Sequence, residues 1–155
     1  MIRLFQNSLT SRLTLRVCKA ALSSHKRHHS TSQEESVITI TRIYNDEEGQ
    51  SHFGSMEIEL KGSGDIGYLS KLIPATGVIF RQTPSAYNYE WHNAPAKQFI
   101  VNLDAAVEVQ VSDGEKRTLK QGEVFFVEDL HGKGHFSKAV NNKFRSSLFI
   151  PVTED

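Results

Sequence analysis

After Glu35 the apolar residues of this chain recur at every second position far more often than with a helical period, and that alternation restricts the fold more than any other feature. Met56, Ile58 and Leu60 alternate with Glu57 and Glu59, Val107, Val109 and Val111 alternate with Glu108 and Gln110, and Ile38, Ile40 and Tyr44 lie in a β-branched run. A strand turns successive side chains to opposite faces, so each run presents one apolar and one solvated side. Turn formers separate the runs: Asn45-Asp46 with Gly49, Gly62-Ser63-Gly64-Asp65, Pro74, Pro84, Pro95, Ser112-Asp113-Gly114, Gln121-Gly122 and Gly132-Lys133-Gly134. Asp113-Gly114 predicts an antiparallel hairpin between Val107–Val111 and Lys116–Leu119, because glycine supplies the positive φ of a tight turn. The body is expected to be all-β, with its strands forming a sandwich or a closed barrel. A chain of 155 residues provides for one such domain with one core.

The charges are segregated although they sum to zero. Residues 1–33 hold six basic side chains (Arg3, Arg12, Arg16, Lys19, Lys26, Arg27) and no acid. The remaining 12 Lys and Arg face all 18 Asp and Glu, a net of −6 with histidine neutral. An acid-free leader rich in Arg, Ser, Thr and Leu, with Leu9, Leu13 and Val17 at four-residue spacing, has the composition of a mitochondrial presequence. Residues 1–32 are therefore expected to be a targeting segment, disordered or loosely helical, and residues 33–155 the domain, with the matrix as destination. Arg12, Arg16 and Lys19 interrupt every apolar stretch that could serve as a secretory signal. Arg27 before His28-His29-Ser30-Thr31 resembles an arginine-guided processing region, so His25, His28 and His29 are not counted towards any site.

An acidic body without a basic, aromatic-interleaved stripe argues against nucleic acid as a partner. No apolar run approaches the roughly 20 residues that span a bilayer, so an integral membrane protein is not expected. The single cysteine, Cys18, lies in the leader, which rules out an intramolecular disulfide and a cysteine-ligated zinc site in the body. The chain also lacks a G-x-S-x-G nucleophile elbow.

Two segments narrow the choice of β fold. Trp91-His92-Asn93-Ala94-Pro95-Ala96-Lys97-Gln98-Phe99-Ile100-Val101-Asn102-Leu103 resembles the first motif of the cupins. Gly122-Glu123-Val124-Phe125-Phe126-Val127 through Gly132-Lys133-Gly134-His135 resembles the second. The likeness runs from about Tyr44 to Pro151 and is nearest to small single-domain cupins, RmlC-like jelly rolls of uncharacterised function. It implies a double-stranded β-helix (jelly-roll) barrel in which both motifs face the interior.

The resemblance also implies a divalent metal, Fe, Mn, Zn or Ni, held by three histidines and a glutamate. Here His92 and His135 stand at histidine positions, Ala94 replaces another histidine, Gln98 falls at the glutamate position, and Ala105 replaces a frequent glycine. His92, Gln98 and His135 are thus the candidate metal ligands, although a neutral amide cannot offset a dication's charge as a carboxylate does. A missing ligand could come from His52, His131, Glu90, Glu128 or Asp129. Trp91 is placed either on the pocket wall or among core and rim aromatics, and Lys97 on the face opposite Gln98.

The leading expectation is a small molecule bound in the barrel beside His92, Gln98 and His135, with or without metal-dependent catalysis. Its alternatives are a metal-free binding module in which the same side chains hydrogen-bond a ligand, and a structural role through a homodimer.

Overall fold

The computed structural model describes residues 35–153, which belong to the unit Gln33–Asp155. The expected targeting segment, residues 1–32, lies outside the described residues.

Eleven strands follow one another along the described chain. The first three are β1 (Glu35–Asn45), β2 (Ser51–Gly62) and β3 (Tyr68–Ser70), with a 3-10 turn at Gly64–Ile66 between the last two. The remaining eight are β4 (Ile79–Thr83), β5 (Asn88–His92), β6 (Gln98–Asn102), β7 (Val107–Val111), β8 (Lys116–Leu119), β9 (Val124–Glu128), β10 (His135–Ala139) and β11 (Arg145–Pro151). They form a seven-stranded sheet in the order β3-β2-β1-β9-β6-β11-β4 and a four-stranded sheet in the order β5-β10-β7-β8. Numbered from one within β4 to β11, the eight strands run first-eighth-third-sixth in one sheet and second-seventh-fourth-fifth in the other. That order is the double Greek key of a cupin-type jelly roll. The large sheet continues past β9 into β1, the one parallel neighbour, in register from Thr41↔Phe125 to Tyr44↔Glu128.

The alternation in the sequence becomes burial where two sheets face each other. Val107, Val109 and Val111 are buried on β7, and β7 pairs with β8 antiparallel from Val107↔Leu119 to Gln110↔Lys116. Gly114 at the turn has φ 101°, the conformation that a side chain resists. Together with Ile43, Phe53, Ala94, Ile100, Leu119, Phe125 and Val127, these valines make the core between the sheets. In β2, Met56, Ile58 and Leu60 are only half-buried, since this part of the sheet has no second layer over it. Along β1 the fully buried residue is Ile43, of opposite parity to Ile38 and Ile40, because only the end of the strand beside β9 faces the core.

Tight backbone crossings fix the end of the barrel where β5 meets β10. Gly134 has φ 67°, and a Cβ there would stand 2.1 Å from the His92 carbonyl oxygen. Its own carbonyl accepts the Ser51 hydroxyl at 2.6 Å, so one glycine joins β2, β5 and β10. Neither backbone can yield without disturbing a strand end. Gly134→Ala is expected to lower unfolding stability by about 2–4 kcal/mol, while Gly64→Ala, with nothing within 4 Å of its Cβ, loses only about 1 kcal/mol for its positive φ. Urea denaturation midpoints of the two variants test the difference.

Candidate functional site

A cavity of about 470 Å³ lies between the sheets. Its middle is apolar, walled by Ile43, Ile100, Val107, Val109, Phe125, Val127 and Phe149. Ile79, Phe80 and Tyr89, all exposed, stand at its rim.

His92 ends β5 and His135 begins β10, and the two residues are direct antiparallel partners. Their ring centres are 4.3 Å apart with planes at 59°. The Nδ1 of His92 lies 2.7 Å from the Glu90 carbonyl oxygen, which can only accept, so Nδ1 carries the proton and donates. Nε2 of the neutral ring is therefore a bare acceptor. Burial pushes the His92 pKa below the ordinary imidazole value, and the Arg81 and His135 charges act in the same direction, against the Glu90 carbonyl and Asp129. His135 Nδ1 donates to Asp129 Oδ2 at 2.7 Å, with that carboxylate fully buried, and this orients the second ring in the same way. Gln98 is 3% exposed and lies on the cavity wall beside the two imidazoles.

The structure thus brings His92, Gln98 and His135 around one cavity, but not Trp91. Side chains alternate along β5, so the residue before an inward His92 points out. Trp91 is 46% exposed and packs on Phe136, the neighbour of His135, with ring centres 6.3 Å apart. Lys97 likewise lies across the sheet from Gln98, in an outer groove with Phe99 and Phe126.

None of the five substitute ligands is on the cavity wall. His52 is bound by Asp46 and Asp113, both at 2.8 Å, and His131 by the Asn45 side chain. Glu128 pairs with Arg42, Glu90 contributes its backbone carbonyl, and Asp129 is committed to His135. Among the described residues no group of three or more His, Cys, Asp or Glu is placed to hold a metal ion. Two imidazole acceptors and one amide, with no carboxylate on the wall, do not fit a dication.

The same wall carries groups that the alternating pattern did not single out: Arg81, Tyr87, Ser137 and Arg145. Arg81 on β4 and Arg145 on β11 lie on adjacent strands, with Arg81 opposite Ser147 and Arg145 opposite Thr83, and so share a face. Arg145 is 5% exposed. Its Nη1 donates to the Asn102 Oδ1 at 2.9 Å, and no carboxylate lies within ion-pair distance of it among the described residues. Burial holds its pKa below the ordinary arginine value, the Arg81 charge adding to this and Tyr87 and Asp104 opposing it. The guanidinium carbons of Arg81 and Arg145 lie 5.3 and 6.0 Å from the centre of the Tyr87 ring. The Tyr87 hydroxyl shares a 2.8 Å hydrogen bond with Ser137.

No protein-family model and no curated protein matches this chain. Solved structures similar to it include the protein NMB1881 from Neisseria meningitidis, at 19% identity over 54% of this chain and 84% of that one, with a TM-score of 0.40. The conserved SPY1581 protein of unknown function from Streptococcus pyogenes is similar at 16% identity over 56% and 71% of the two chains, with a TM-score of 0.41. A candidate ethanolamine utilization protein q from Salmonella typhimurium shares 12% identity over 80% and 99%, with a TM-score of 0.35. The fold assignment rests on the strand order given above.

Away from the cavity, the His52 clamp ties the β1–β2 turn to the β7–β8 turn. Hydrogen bonds donated to Asp46 and Asp113 raise the His52 pKa above 6.5, and the contact with Asp46 lowers that carboxyl below 3.8. A raised histidine value stabilises the fold fully below the unfolded pKa and ceases to do so as pH rises through the folded one. A lowered aspartate value acts above its unfolded pKa and is lost on acidification through the folded one. The clamp therefore contributes most between about pH 4 and 6.5. Wild type is expected to exceed His52→Gln in urea midpoint at about pH 5.5 and to match it at about pH 9.

Proposed function

We propose that the barrel binds a small organic anion without a metal ion, with Arg145 and Arg81 holding its charge. The observation that carries this reading is a guanidinium buried on the cavity wall with an amide, and no carboxylate, as its hydrogen-bond partner. Removing such a charge from water costs several kcal/mol unless an anion meets it. A second guanidinium on the same face raises that cost through like-charge repulsion, and one bound anion relieves both. A planar guanidinium fork also matches a carboxylate or phosphate in two parallel hydrogen bonds. The volume of about 470 Å³ is that of a small-molecule site.

The metal-dependent version is set aside on the chemistry of the donors, since two imidazoles and a neutral amide are joined on the wall by no carboxylate to offset a dication's charge. His92, His135 and Gln98 then act as hydrogen-bond partners of the ligand. The acid-free basic leader supports placing this binding in the mitochondrial matrix.

A thermal-shift panel of small organic acids and their uncharged analogues tests the proposal. Acids are expected to raise the apparent melting temperature, reaching about 2.7 kcal/mol of stabilisation at a hundredfold excess over Kd. The shift should vanish in Arg145→Met and weaken in Arg81→Gln. Stabilisation by the neutral analogues alone, or equal shifts by acids in wild type and both variants, would count against it.

A further inference from the structure

The two kinds of polar group in the cavity lie at opposite ends of one strand. β6 runs from Gln98 to Asn102. At its first residue, Gln98 pairs with Val127, and the chain leaves β9 directly into Asp129, which holds His135. The backbone N–H of Ala94, two residues beyond His92, donates to the Asp129 carbonyl at 3.1 Å, so the histidine pair also belongs to this end. At its last residue, the Asn102 side chain holds Arg145. Four residues of strand separate the two ends, about 13 Å of backbone. Between them the wall is mainly apolar, with Ile100, Phe125, Val109 and Phe149, and the Ser137 hydroxyl beside Val109 is taken up by Tyr87 at 2.8 Å.

The imidazole end also has a fixed sense. Both Nδ1 atoms are donors engaged with protein oxygens, so the neutral His92 ring can offer a ligand only its Nε2 lone pair. A ligand group beside it must donate a hydrogen bond. A second carboxylate there would meet a lone pair.

Resting on the anion reading above, we propose that the ligand is an amphipathic hydroxy acid. Its anionic group sits between Arg145 and Arg81, an apolar spacer the length of an aromatic ring and short chain crosses the middle, and a hydroxyl donates to His92 at the far end. The anion is a carboxylate or a phosphate monoester, since both match the guanidinium forks.

Four probes of one shape separate these elements by calorimetric titration of the full chain. They are 3-(4-hydroxyphenyl)propionate, 3-phenylpropionate, 4-(2-hydroxyethyl)phenol and 2-(4-hydroxyphenyl)ethyl phosphate. One of the two hydroxyl-bearing anions is expected to bind best, and which of them does so identifies the anion. Loss of the phenolic hydroxyl should weaken the carboxylate by about tenfold or more, because a buried acceptor is left unpaired. In His92→Phe that discrimination should disappear while binding of 3-phenylpropionate persists, whereas Arg81→Gln and Arg145→Met should weaken all anions alike. Equal binding of the propionates with and without the hydroxyl, or discrimination that survives in His92→Phe, overturns the two-ended ligand and leaves the anion reading standing. Binding of 4-(2-hydroxyethyl)phenol alone, or of none of the four, overturns both.

Discussion

The fold and its cavity meet at the side chain of Asn102. Fully buried, it donates to the Leu119 carbonyl at 2.9 Å and accepts from Arg145, while its backbone exchanges hydrogen bonds with Glu123 and Gly122. A single amide thereby ties the end of β6 to the β8–β9 turn and aims a guanidinium inward. Replacing a buried donor–acceptor of this kind strands several partners at once, each at the full cost of desolvation. The positive end of the cavity is thus part of the frame rather than an addition to it, and its position is set as firmly as the sheets themselves.

The opposite end is fixed by different means. There, cross-strand pairing sets the two imidazoles side by side, the Asp129 carboxylate and a backbone carbonyl choose their tautomers, and glycines let the loops approach to distances that no side chain permits. Pre-set donors and acceptors lose little freedom when a ligand arrives, which is how a site of moderate size gains selectivity. Between the ends, buried aliphatic and aromatic side chains give area without direction.

Much of this was legible in the sequence because periodicity and turn chemistry act locally. The β7–β8 hairpin, the solvated glutamates of β2 and the inward course of His92 and His135 follow from spacing and motif alone. The arginines did not, because a charged residue in an alternating strand reads as part of its wet face. Arg145 shares its parity with Ser147 and Phe149, and the small polar Ser147 is buried while the larger Leu148 is not, so hydrophobicity pointed to the wrong side of β11. For Trp91 the sequence left both the pocket wall and a core or rim position open. Strand pleating excludes it from the wall once His92 points inward, and that much could have been taken from adjacency in the chain.

The parallel pairing of β1 with β9 also sets an order of assembly. β1 and β2 can close on each other as soon as both exist, but Thr41 waits for Phe125, 84 residues further along, before its other edge is covered. Contacts so distant in sequence are slow to form, and a strand left open meanwhile is an invitation to wrong partners. A chain made from its N-terminus must therefore keep that edge unclaimed until most of the barrel has emerged.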